Sequence, residues 1–190
     1  MLNIESPRGL SPIGIGLIVI LSFLSMLALA VAGMLLWPQA TRLPQSPNTA
    51  LALIGWVWLA LGVAFWILTM HKFLGGFKRG ELVTGGTFAW CRNPLYASLT
   101  VFVVPAIGLI TRGWPFFVVA VATAILVLLL LPREEREMSR AFGAEWQAYA
   151  SRTSRLLPLP PQGRWLRRVA VLVWIAFAVI IALIAGSGTF

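Results

Sequence analysis

Long apolar runs alternate with short polar blocks along this chain, and the runs have the length of membrane-spanning helices. A helix needs about 20 apolar residues to cross a bilayer. Besides four clear runs, one shorter window reaches spanning length if its helix begins at Pro94 and runs to Thr111. The missing N–H of proline costs nothing at the first position of a helix. Pro105 predicts a kink inside that window. The four clearer runs are Pro12 to Trp37, Thr49 to Met70, Trp114 to Leu131, and Val169 to Ala185.

The composition indicates an all-α fold, an integral membrane helical bundle of about five transmembrane helices. Of the 190 residues, 59% are hydrophobic and only 11% are charged, and the mean hydropathy is +0.87. A soluble bundle would carry charged outer faces on its helices, and these windows carry no charge on any face. The first run extends past the small residues between Ala28 and Ala32, so we interpret it as a retained span rather than a cleaved signal.

The basic residues predict the orientation of the spans. Most of them lie between the second and third spans or between the fourth and fifth, and the opposite side carries little beyond Arg42 and Arg112. Because cytoplasmic loops carry the excess of Lys and Arg, we expect a cytosolic N-terminus and an external C-terminus in an inner or plasma membrane. The chain then forms one membrane domain over residues 1 to 190, with cytosolic segments over 72 to 98 and 132 to 158.

Two classes of partner are not expected. The net charge of +9 comes from residues that flank membrane spans, where anionic lipid accounts for it, so we expect no nucleic acid partner. The chain has no Asp, one His (His71) and one Cys (Cys91), so a conventional metal site has no ligand set and we expect no metal.

The first polar block follows the second span. Five glycines between Lys72 and Gly86 predict a loop with turns, whose backbone is available to a ligand. The run Arg92-Asn93-Pro94 then places a guanidinium and an amide at a helix entrance, where free N–H groups favour polar or anionic ligand groups. Asn is also a favoured N-cap, so a plain capping role for Asn93 beside an interfacial Arg92 stays open.

The second polar block continues the fourth span as a helix into the cytosol, and Pro132 predicts a kink where it leaves the bilayer. Glu134, Met138 and Phe142 share one helical face, and Glu135 lies about 100° around the helix from it. One of the two adjacent acids can therefore face the bundle while the other faces water or an Arg. A charge run of this kind is also typical of a solvated helix exit. Both blocks lie on the same side of the membrane and could close over one site.

The combined pattern of the two blocks carries a family resemblance. The first block reads Leu82-Val-Thr-x-Gly-x-Phe-Ala-Trp-x-Arg-Asn-Pro-x-Tyr96, and Glu134-Glu135, Phe142-Gly143, Trp146, Tyr149 and Pro158 follow it. This arrangement resembles the isoprenylcysteine carboxyl methyltransferase family, and phospholipid N-methyltransferases share a looser form of it. The resemblance covers Glu81 to Pro158, and the first two spans and the last one match no motif.

The resemblance implies a membrane methyltransferase that uses S-adenosylmethionine and lacks the soluble α/β methyltransferase fold. It implies that Arg92 and the acid pair Glu134 and Glu135 are linked to activity. An amine acceptor would need to lose a proton, which Glu135 could take. The partners it implies are the lipid bilayer and a lipophilic or small-molecule methyl acceptor. A carboxylate suits the cofactor's ammonium group or sulfonium. The implied cofactor-binding residues are Glu81, Leu82, Val83, Phe88, Asn93, Pro94, Leu95, Tyr96 and Glu134.

Two positions depart from the family pattern. The family usually has His after the conserved Arg, and this chain has Asn93, which can hydrogen-bond but has no imidazole. Eukaryotic prenylcysteine enzymes also have an Arg one turn before the acid pair that faces the substrate carboxylate, and this chain has Leu130 there. The second departure argues against a prenylcysteine substrate.

Two other functions stay open at the level of sequence. Membrane sterol reductases that use NADPH end in a related pattern, but they carry a His-Arg-x-x-Arg-Asp stretch where this chain has Arg133 to Glu137, and they have more spans. The other alternative is a non-catalytic membrane module built on the same scaffold. Binding of S-adenosylhomocysteine would separate the methyltransferase from both.

Overall fold

The computed structural model describes residues 15–43, 48–160, 165, 168, 170–172 and 174–175. These residues form helices, and none of them lies in a β-strand. A 3₁₀ turn covers Gly86–Ala89, and a π-helical segment covers Ser98–Val103. The helices are α1 Gly16–Leu36, α2 Pro38–Thr41, α3 Asn48–Arg79, α4 Pro94–Ala97, α5 Val104–Thr111 and α6 Trp114–Arg152.

Four helical stretches are long and apolar enough to cross a membrane, and they match the first four predicted spans. Large apolar side chains such as Leu29, Val57 and Leu129 are exposed along them, as expected of surfaces that face lipid. The helical membrane bundle is therefore confirmed for the described part of the chain. The fifth predicted span, 169 to 185, lies mostly outside the described residues, and those described between 165 and 175 are helical.

The predicted loop from Lys72 was wrong in its first half, because α3 continues as helix to Arg79. Gly76 lies within this helix and packs closely against the chain that follows it: an added Cβ would lie 2.0 Å from Cγ2 of Val83, so a side chain at position 76 would require Val83 to move. The helix ends with Gly80 in the left-handed region, at φ 66°. The Gly80 N–H donates to the Phe77 carbonyl and the Glu81 N–H to the Gly76 carbonyl, which is the Schellman pattern of helix termination.

The distortion expected at Pro105 takes the form of the π-helical segment that ends two residues before it. Proline has no N–H to donate, so the Val101 carbonyl four residues earlier loses its helical partner. The indole N–H of Trp58 on α3 donates to that carbonyl instead, at 3.0 Å. The carbonyl that Pro105 leaves without its helical donor thus accepts a hydrogen bond that joins the third spanning stretch to α3.

Helix α6 is interrupted at Gly143, which has φ 51° and ψ −123°. This is the only residue of α6 with non-helical torsions, and Pro132, where we expected a kink, retains helical ones. A side chain is strained at such a φ, whereas glycine adopts it freely. The interruption redirects the last part of α6, so that the chain after Arg152 runs back alongside residues 90 to 93.

The ends of the bundle group the loops as the sequence predicted. The loop after α2 contacts the turn before α6: the Leu43 N–H donates to the Arg112 carbonyl at 2.7 Å, and the Arg112 guanidinium donates to the Leu43 carbonyl at 2.8 Å. At the opposite end, the Ile15 N–H donates to Glu134 at 3.0 Å. The arrangement of the first four spans agrees with the predicted alternation, and the side of the membrane that each end faces stays a prediction.

Candidate active site

A cavity of about 490 Å³ lies at the end of the bundle that contains Ile15 and Glu134. Its walls come from α1, α3, the loop after α3, the start of α4 and the second half of α6. Its volume is within the range of small-molecule sites in proteins. All eleven residues that the sequence singled out line it: Glu81, Leu82, Val83, Phe88, Arg92, Asn93, Pro94, Leu95, Tyr96, Glu134 and Glu135.

An ion-pair network connects the two polar blocks at this cavity. Nη1 of Arg92 lies 3.0 Å from Oε1 of Glu135, and the two side chains are only 13% and 14% exposed. Arg155, from the segment after α6, contacts both oxygens of the same carboxylate at 3.0 and 3.2 Å. Glu135 therefore accepts from two guanidinium groups, and its carboxylate is held in one orientation.

The Arg92 side chain retains a donor that nothing in the described residues satisfies. Its Nε is buried and has no hydrogen-bond partner. The guanidinium carbon lies 6.0 Å from the ring centre of Trp146, at the outer limit for a cation–π contact. A buried N–H without an acceptor is costly, so Arg92 is suited to donate to an anionic ligand group in the cavity.

Glu134 faces the cavity from the same turn of α6 as Glu135 but has different neighbours. Its Oε1 accepts the Ile15 N–H at the start of α1. The predicted face is confirmed, because Glu134, Met138 and Phe142 all line the cavity. The two adjacent acids thus take separate positions, one against α1 and one against two arginines.

An aromatic cluster forms one wall of the cavity. Phe142, Trp146 and Tyr149 of α6 pack together with Phe88 and Leu82 of the preceding block. The Tyr149 hydroxyl donates to the Phe88 carbonyl at 2.7 Å. This bond connects the 3₁₀ turn to α6, so the wall is built from both blocks.

Asn93 does not act as an N-cap, because its side chain makes no hydrogen bond to the first turn of α4. Its amide nitrogen instead donates to the Arg155 carbonyl at 2.8 Å. The capping interpretation is therefore wrong for this side chain. Asn93 joins the two blocks, a role that needs a hydrogen-bond donor and no imidazole.

Two polar residues of the block have more limited roles. Glu81 lies at the cavity but is exposed, and its carboxylate pairs with Arg79 at 2.7 Å. Cys91 is fully buried, and burial raises the pKa of its thiol to about 12. Since the thiolate is the nucleophilic form, Cys91 is unsuited to covalent catalysis.

The sequence interpretation missed the contributions of α1 and α3 to the cavity. Gly16 and Ile20 come from α1, which matches no motif, and their apolar character gave no chemical signal. Glu137, which matches no position of the family pattern, also lines the cavity. Arg155 was counted only as a basic residue of a cytosolic loop. The α3 residues that line the cavity are Trp66, Met70, Phe73 and Phe77.

A family comparison covers most of this site. The sequence model described as Phospholipid methyltransferase matches residues 48–145, which is more than half of the chain. The chain belongs to the phospholipid methyltransferase family. This is a family of integral membrane methyltransferases related to the isoprenylcysteine enzymes, so the predicted resemblance is confirmed at this level.

Two proteins named for metal resistance are similar to part of this chain. Over 112 residues it is 30% identical to the nickel-cobalt-cadmium resistance protein NccN of Alcaligenes xylosoxydans xylosoxydans and to the cobalt-zinc-cadmium resistance protein CzcN of Cupriavidus metallidurans. In each case the similarity covers 58% of this chain and 46% of the relative. The chain thus spans about half the length of the relatives that it matches.

Proposed function

We propose that the protein is an S-adenosylmethionine-dependent methyltransferase acting on a lipophilic or small acceptor at the cytosolic face of the membrane. The observation that carries the proposal is the Arg92 side chain. Arg92 lines the cavity together with every other predicted site residue, and its buried Nε has no hydrogen-bond acceptor among the described residues. S-adenosylmethionine, when bound, supplies an electrophilic methyl group beside a carboxylate and an ammonium group. The charged and aromatic groups of the cavity complement those parts.

The cavity residues divide into three roles in this proposal. Arg92 binds a carboxylate with the fork of its guanidinium, which Glu135 orients at 3.0 Å. Glu134 offers a carboxylate to a cationic group from the facing part of the cavity. The aromatic cluster gives a flat apolar surface for a purine and excludes water from the reacting groups.

Methyl transfer by in-line displacement needs alignment of two reactants and needs no covalent intermediate on the protein. This agrees with the burial of Cys91, the one thiol in the chain. A carboxylate or thiolate acceptor needs no general base, whereas an amine acceptor must lose a proton. The contacts of Glu135 with Arg92 and Arg155 favour an orienting role for it, and proton removal by Glu135 stays a prediction for amine acceptors.

The apolar part of the cavity supports an acceptor that enters from the bilayer. Ile20 of α1 and Trp66 of α3 both line it, yet they are 50% and 39% exposed, so the cavity reaches the apolar surface of the bundle between these helices. A lipophilic acceptor could approach there, while the cofactor enters from the polar loops.

The decisive experiment combines binding and turnover on protein purified in detergent or nanodiscs. Calorimetry with S-adenosylhomocysteine tests the cofactor site, and methyl-labelled S-adenosylmethionine with total lipid and small-thiol extracts identifies the acceptor. We expect saturable binding in the wild type and loss of binding in Arg92→Ala. Absence of binding together with NADPH oxidation would favour the reductase, and absence of both would favour a non-catalytic module.

A further inference from the structure

The segment after α6 holds the Arg92–Glu135 pair from outside the cavity. The Ser154 carbonyl accepts the Arg92 N–H at 2.8 Å, and the Arg155 carbonyl accepts the Asn93 amide at 2.8 Å. The Arg155 guanidinium contacts both oxygens of Glu135. Two consecutive residues therefore fix the backbone of Arg92, the side chain of Asn93 and the carboxylate that faces Arg92.

We propose that Arg155 is a positioning residue that acts through Glu135 on the guanidinium of Arg92. Arg155 does not line the cavity, and its side chain is 51% exposed, so it does not reach a ligand there. Arg92 and Glu135 both line the cavity and are nearly buried. Arg155 also lies beyond residues 48–145, the part that matches the family. The proposal rests on the proposed cofactor site.

The physical basis is the geometry of the carboxylate. A Glu side chain paired with one Arg through one oxygen can rotate about its last bonds, and the partner then moves with it. A second guanidinium that contacts both oxygens fixes the carboxylate plane, and with it the direction in which Arg92 is held. Arg92 is then pre-oriented before a ligand binds, which lowers the entropic cost of binding.

The test compares Arg155→Ala and Arg155→Lys with Arg140→Ala, measured by calorimetry with S-adenosylhomocysteine and by steady-state kinetics. Arg140 is an exposed arginine of α6 that lies outside the cavity, so its removal makes the same change in net charge. We expect Arg155→Ala to raise Kd and the cofactor KM by about fivefold, the effect of losing one half-exposed charged contact. The Lys variant should recover part of the loss through a single contact, kcat should change less than KM, and Arg140→Ala should match the wild type.

A double variant separates positioning from a direct role. In a Glu135→Gln background, Arg155→Ala should cause little further loss, because its route to Arg92 is already weakened. Additive losses would show that Arg155 acts independently of Glu135 and would overturn the proposal. Thermal unfolding of each variant in detergent checks folding, and Arg155→Gln replaces the Ala variant if the latter does not fold.

The outcomes also separate this proposal from the proposed function. Saturable wild-type binding with an unchanged Kd in Arg155→Ala and Arg155→Gln would overturn the positioning role alone. Absence of wild-type binding would overturn both, because there would be no cofactor site for Arg155 to organise.

Discussion

Arg155 contacts Glu135 at 3.0 Å although 20 residues separate them in the chain. A continuous helix of that length would place them about 30 Å apart. The contact exists because α6 is interrupted at Gly143 and the segment after it returns toward the first polar block. The contact of Arg155 with Glu135 therefore depends on the backbone conformation of Gly143.

Replacement of Gly143 by Ala should disturb the site through backbone strain. Nothing lies within 4 Å of an added Cβ there, so the cost comes from the positive φ, and we expect about 1–3 kcal/mol of destabilisation. Gly85→Ala is the matched control, because Gly85 also has open space but an ordinary φ of −98°. The thermal unfolding temperature and the affinity for S-adenosylhomocysteine should both fall in Gly143→Ala and should stay at the wild-type values in Gly85→Ala. Equal behaviour of the two variants would contradict this account.

Arg92→Lys should retain a folded, membrane-inserted protein and lower methyl transfer by at least about tenfold, or about 1.4 kcal/mol in the transition state. Lysine retains the charge but has neither the planar fork that pairs with Glu135 nor the separate Nε donor. The measurement is turnover with any accepted substrate, normalised to protein that elutes as a single species. If Arg92 were only an interfacial anchor, lysine would serve equally well in its place. Wild-type turnover in this variant would therefore refute the assignment of Arg92 to the cofactor site.

Glu134→Gln should weaken cofactor binding by roughly one to two decades, since one charge-assisted contact contributes about 1.5–3 kcal/mol. Glu137→Gln should have a smaller effect, because Glu137 is more exposed than Glu134 and matches no position of the family pattern. Because Glu137 also lines the cavity, Glu145→Gln is the better control: Glu145 is an exposed acid of the same helix outside the cavity. Superimposable titration curves for Glu134→Gln and Glu145→Gln would contradict the role of Glu134.

The orientation of the bundle can be tested by thiol labelling in intact cells. The native thiol, Cys91, is fully buried and its pKa is raised to about 12, so background labelling should be low. An impermeant reagent should label Arg42→Cys directly and Lys78→Cys only after permeabilisation. The reverse pattern would place the polar blocks outside and overturn the predicted topology.

The sequence predicted much of the bundle and of the cavity because both depend on strong local signals. Uninterrupted apolar runs indicated the four described spans, and the family pattern predicted that Arg92, Glu134 and Glu135 share one site. The helical face shared by Glu134 and Met138 followed from spacing alone. These features are local, or they depend on motifs with fixed spacing.

Other features depend on contacts between distant segments, which spacing does not reveal. Gly76 lies in a helix although its neighbourhood in the sequence resembles a loop, and the close approach of Val83 leaves no space there for a side chain. Asn93 is a residue type that favours the N-cap, but its amide nitrogen donates to the Arg155 carbonyl and its amide oxygen accepts no N–H from the first turn of α4. Phe142-Gly143 belongs to the family pattern, but the pattern does not reveal that Gly143 has a positive φ and interrupts α6.

The hydrogen bond from Ile15 to Glu134 joins residues 119 positions apart, and it has a consequence for biogenesis. The start of α1 is synthesised first, and the carboxylate that accepts its N–H emerges only after the fourth spanning stretch. A nascent chain halted before residue 134 therefore has α1 without this acceptor and lacks one wall of the cavity. Competence for ligand binding should arise late during translation, after the first four spans have been inserted and have assembled.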